Sequence, residues 1–117
     1  MDLDIPHLLN MAGGDPELAD EVLDIFRNQA SVWGRMLDAK LPSEQWVDAV
    51  HTLRGAALSI GAHSFAETCE KAEHLGRMGE ASHVAVATML SDVKTELTQT
   101  LEACAKASHE LSKPGLR

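Results

Sequence analysis

Apolar residues recur along this chain at three- and four-residue steps, the period of helices with one buried face, and no segment sustains the alternation of a half-buried strand. The expected class is all-α. "IPHLLNMAGG" reads as a short opening helix stopped by Gly13 and Gly14. In "GDPELADEVLDIFRNQASVWGRMLDAKL" Asp15 can cap, Pro16 suits the first helical position and Glu17 favours the positive end of the helix dipole. Leu18, Val22, Ile25, Phe26, Gln29, Trp33, Met36 and Leu37 then form one stripe, predicted to be buried and ended by Pro42. Ser43 opens a third helix that runs to about Gly61. Ser64 with Glu67 makes a capping-box pattern for a fourth, which carries Phe65, Cys69, Ala72 and Leu75 inside and ends near "GRMGE". From about Ser82 to Leu111 one long helix spaces Val86, Leu90, Val93, Leu97, Leu101, Cys104, Ser108 and Leu111 by threes and fours.

Four long helices with one apolar stripe each, joined by short Gly- or Pro-marked turns, bury those stripes most economically as an antiparallel four-helix bundle with a short extra N-terminal helix. Residues 1–112 form that single domain and 113–117, ending "KPGLR", a frayed tail. A length of 117 residues with 44% apolar content supports one core and no second domain. Met1 and the full set of bundle helices lead us to expect a free-standing protein.

Charge and cysteine usage narrow the function. Eighteen acidic against ten basic side chains give a net charge of −8, which repels phosphate backbones and anionic lipid, so neither nucleic acid nor a membrane surface is an expected partner. No apolar run approaches the roughly 20 residues of a bilayer span, and the first ten residues lack the basic start and apolar core of a signal peptide; the expected location is cytoplasmic. Cys69 and Cys104 stand on different helices without CxxC spacing and read as small core residues.

The chemistry turns on "DAVHTLRGAALSIGA", residues 48 to 62. With His51 set at zero and about 100° per residue, Trp46, Val50, Leu53, Ala57 and Ile60 fall between about 180° and 260°, so the histidine points away from its own helix's buried stripe. Residues three and four positions away share its face: Val47, Asp48, Arg54 and Gly55, with Leu58 a turn further. Gly55 costs about 1 kcal/mol against alanine in mid-helix, and what it gives in return is access to the imidazole. Arg54 places a fixed fork of donors where an anion on His51 would sit. Asp48 is a candidate to orient the ring, and Val47 and Leu58 supply an apolar rim. A metal reading of His63, Cys69, Glu73 and His74 fails on phase, since Cys69 lies in the apolar stripe and His63 precedes the cap; no metal site is expected.

These residues carry a resemblance. "HTLRGAALSIGAHSFAETCEKAE" resembles the signature of histidine phosphotransfer (HPt) domains: a histidine, a leucine two on, a basic residue and a glycine, a small-residue run to Gly61 and Ala62, then an apolar residue, cysteine and glutamate. "GGDPELADEVLDIF" is similar to the family's first bundle helix. Arg54 stands where the family more often has lysine, and Ala72 where it usually has leucine.

The resemblance implies a phosphorelay intermediate. His51 would accept a phosphoryl group, through Nε2, from a receiver-domain aspartate of a response regulator and pass it to another. Arg54 would balance phosphoryl charge, Gly55 would give access, and Val47, Asp48, Leu58 and Ala62 would form the docking surface. The receiver brings Mg²⁺ and a lysine, so no cofactor is expected on this chain, which would act as a monomer with receiver domains as partners and a hybrid histidine kinase as a further candidate. An exposed imidazole is mostly neutral at cytosolic pH and attacks without a dedicated base. There is no Walker loop and no Gly-rich ATP lid, so autokinase activity is not expected. The alternative from another class is a non-catalytic helical adaptor that binds receivers without phosphotransfer.

Overall fold

The computed structural model describes residues 3–113, and the tail expected at 113–117 lies, beyond Lys113, outside the described residues. Five α-helices follow one another: α1 (Ile5–Met11), α2 (Pro16–Trp33), α3 (Ser43–Ser59), α4 (His63–Met78) and α5 (His83–Leu111), with a 3₁₀ turn at Gly34–Met36. No strand occurs among the described residues. The long helices pack pairwise, α2 on α3, α3 on α4, α4 on α5 and α5 on α2, so that each borders two others around one core. α5 alone spans about 43 Å at 1.5 Å per residue, which sets the long dimension of a particle of 50 × 20 × 19 Å. No described helix is long and apolar enough to cross a membrane.

Helix boundaries follow local chemistry. Asp4 Oδ1 accepts from the His7 amide at 3.0 Å, Asp15 Oδ1 from Glu17 at 3.0 Å and Ser82 Oγ from Ala85 at 3.1 Å, each satisfying an orphan donor of a first turn. The capping box expected at Ser64 and Glu67 does not form. α4 begins one residue earlier, at His63, with no side-chain cap, because the chain enters it from the tight Ile60–Ala62 turn. There Gly61 has φ +74°, and a side chain would bring its Cβ within 2.8 Å of the Asp4 Cβ. The Asp4 amide donates to the Gly61 carbonyl at 3.3 Å, so the start of α1 lies over the α3–α4 turn.

The core contains Leu8, Leu23, Phe26, Leu37, Trp46, Val50, Leu53, Ile60, Phe65, Leu90, Val93 and Leu111. Phe26 meets Phe65 edge to face at 6.4 Å. α3, α4 and α5 bury the stripes expected of them, apart from the half-buried Leu75, Val86, Leu101 and Ser108. α2 does not. Its buried residues are Ala19, Leu23, Phe26 and Ala30, a face turned by roughly 80° from the predicted stripe. Leu18 and Ile25 are 44% and 60% exposed, and Val32 is 62% exposed beside them. The apolar arc of α2 is wider than one interface, and the bundle buries the side carrying Ala19, Leu23, Phe26 and Ala30. Ser108 of α5 donates to Asp20 Oδ1 on that side. α2 also stops at Trp33, short of the Pro42 end expected for it, giving way at Gly34 to the 3₁₀ turn.

Candidate functional site

His51 sits at the middle of α3, and its side chain is 54% exposed. Trp46, Val50, Leu53, Ala57 and Ile60 are all buried on the other side, as the helix phase predicts. The ring is nonetheless held. Its Nδ1 lies 2.7 Å from Oε1 of Glu73 on α4, and that carboxylate is a hub: Arg77 reaches the same Oε1 through Nη2 at 2.8 Å and Nε at 3.2 Å, while Arg54 Nε stands 3.6 Å from Oε2.

The electrostatics fix which ring nitrogen carries the proton. Glu73 is buried, which by itself raises its carboxyl, but the hydrogen bonds from Arg77 and His51 and the charge of Arg54 outweigh burial and hold it below the ordinary glutamate range. An ionised carboxylate only accepts hydrogen bonds. His51 Nδ1 therefore donates, and in the neutral ring Nε2 keeps its lone pair. The imidazole is thus held in one tautomer and one orientation by a charge that also compensates any positive charge the ring acquires.

The other sequence-derived site residues divide. Gly55 is exposed, and a Cβ built there meets nothing within 4 Å, so the surface one turn from His51 is open. Asp48 and Leu58 are exposed on the same helix. Arg54 leans toward Glu73, and its Nε is buried without a hydrogen-bond partner. Two expectations are corrected: Val47 is 7% exposed, roofed by α4, and Ala62 is fully buried in the α3–α4 turn, so neither offers a docking surface. Asp48 does not orient the ring; Glu73 does.

Glu73 was legible as an anomaly. On α4 it falls about 40° from Cys69 and inside the arc spanned by Phe65, Ala66 and Ala72. A carboxylate on an inner face demands a partner, and the fold supplies three from α3 and α4. Among the described residues no cluster of three or more His, Cys, Asp or Glu side chains could hold a metal.

The comparisons with known proteins agree with this geometry. A family model described as the Hpt domain matches residues 17–107. The crystal structure of histidine phosphotransferase ShpA from Caulobacter crescentus is similar over 98% of both chains, with 38% sequence identity and a TM-score of 0.75. No curated protein matches the sequence. A match over most of the chain, and a solved relative of the same length, lead to one conclusion: this chain belongs to the Hpt domain family.

Proposed function

We propose that this chain is a phosphohistidine carrier of a two-component phosphorelay, taking a phosphoryl group from a receiver-domain aspartate onto His51 and delivering it to the aspartate of another receiver. The observation that carries the reading is the 2.7 Å bond between His51 Nδ1 and Glu73, which leaves Nε2 as the nucleophile. In the forward step the Nε2 lone pair forms the N–P bond, the P–O bond to the aspartate breaks, and its electron pair stays on the released carboxylate. The ring keeps its Nδ1 proton and becomes cationic, with Glu73 beside it to balance the charge. Such transfers need positioning and charge neutralisation more than covalent help.

Arg54 and Arg77 flank the carboxylate and are the cations available to phosphoryl oxygens. The receiver contributes Mg²⁺, and this chain none. Asp48, Gly55 and Leu58 around His51 form the docking surface, extended by the apolar ridge Leu18, Ile25 and Val32 of α2, the helix packed beside α3. Exposed apolar residues aligned along one helix are the raw material of an interaction surface. The finer architecture we infer is an antiparallel four-helix bundle, acting as a monomer in the cytoplasm.

The test is incubation with phosphorylated receiver domains. The parent is expected to acquire acid-labile, base-stable phosphate, and His51→Gln, which changes a half-exposed side chain and leaves Arg77 and Arg54 on Glu73, is expected to fold and acquire none. Receiver binding by the parent without any label would instead identify a non-catalytic adaptor.

A further inference from the structure

Gly76, one turn beyond Glu73 on α4, lies against α3. A Cβ built on it comes 2.3 Å from Val47 Cγ2 and 2.5 and 2.8 Å from Cη2 and Cζ3 of Trp46. Val47 and Trp46 are both buried, so they give way only by displacing their neighbours. Apolar carbons in contact prefer about 3.5 Å or more, so any side chain at position 76 forces the two helices apart there by about 1 Å. On α3 the residue one turn beyond Val47 is His51, and on α4 the residue one turn before Gly76 is Glu73. The tight helix contact at Gly76 and the His51–Glu73 hydrogen bond are therefore adjacent rungs of one interface.

We infer that Gly76 is a positioning residue: the absence of its side chain sets the α3–α4 separation at which the Glu73 carboxylate reaches His51 Nδ1. The inference rests on the proposed role of His51. A hydrogen bond of 2.7 Å lengthened by about 1 Å falls outside bonding range, and Glu73 cannot simply follow, because Arg77 holds the same oxygen from its own helix. The ring then loses both its fixed tautomer and its compensating charge. Gly55, the other glycine near the histidine, does the opposite job, since its missing side chain faces open space.

The experiment reads the ring directly. In ¹⁵N-detected spectra of the unphosphorylated parent, His51 is expected as the Nδ1–H tautomer. In Gly76→Ala the two tautomers should mix, and transfer from a phosphorylated receiver should slow roughly tenfold to a hundredfold with receiver affinity unchanged. Gly55→Ala should leave the tautomer alone. Glu73→Asp, which withdraws the carboxylate by one methylene without touching the Gly76 contact, should reproduce the Gly76→Ala spectrum and rate, and it carries the test if Gly76→Ala does not fold. Parental tautomer and parental rate in either folded variant overturns the inference. A parent that shows the Nδ1–H tautomer but accepts no phosphate counts against the carrier function and leaves the tautomer comparison to decide the role of Gly76.

Discussion

The α3–α4 pair and the outer face of α2 use the same raw material, apolar side chains at helical spacing, to opposite ends. On α3 the large buried residues other than Val47 form one stripe, and that stripe sets how the helix turns. Phase analysis then locates both the core and, by exclusion, the exposed histidine. On α2 large apolar residues cover more than one interface, and the buried face is the one carrying Ala19, Leu23, Phe26 and Ala30. The ridge left outside is surface that the fold does not need. On the proposed reading, a stripe wider than its interface carries two roles on one helix, packing on one flank and recognition on the other.

The sharpest way to break this contrast is a pair of truncations on α2. Leu23→Ala opens a cavity at a fully buried site and should cost about 2–5 kcal/mol in denaturant unfolding, whereas Ile25→Ala, two residues away, should stay within about 0.5 kcal/mol. Equal costs would mean that the stripe lies where the large residues alone place it. Next in size, Glu73→Ala strands Arg54 and Arg77 and frees the ring, so phosphotransfer measured with a labelled receiver should fall by at least about tenfold, or about 1.4 kcal/mol of barrier.

Acid should reveal the same carboxylate in the unmodified protein. Because the folded-state value of Glu73 lies below its unfolded one, its contribution to stability is present above the ordinary glutamate value and is lost as pH falls through the lowered folded value. The difference in unfolding free energy between the parent and Glu73→Gln, followed from neutral pH downwards, should shrink over that interval; a constant difference would remove Glu73 from the acid limb. A charge placed on the α2 ridge, as in Ile25→Glu, should leave unfolding unchanged and weaken receiver binding by calorimetry about tenfold, roughly 1.4 kcal/mol. Smallest of all, Gly55→Ala should raise stability by up to about 1 kcal/mol, since nothing stands within 4 Å of the added carbon.

How much could be read without coordinates follows from the same physics. The cap at Asp15, the start of α5 near Ser82, the phase of α3 and the exposed imidazole are local or periodic, and the sequence displays them directly. Val47 shares the outward half of α3 with His51, yet it is covered because α4 carries a glycine opposite it, a coincidence between two helices that neither sequence segment reveals alone. The orienting role of Glu73 hid for a related reason: its place on an inner face was visible, but its partners come from a different helix and from the next turn of its own. Interfaces between elements, rather than elements, are what one-dimensional patterning leaves open.

The shared oxygen of Glu73 also bears on traffic through the relay. On the proposed chemistry, a carboxylate that balances a cationic ring stabilises the phosphorylated histidine itself, and does so alike whichever receiver delivered the phosphoryl group and whichever will take it. The site is thereby a two-way junction with no valve of its own. Net direction is then imposed from outside, by the abundance of each receiver and by how readily each one's acyl phosphate is drained away.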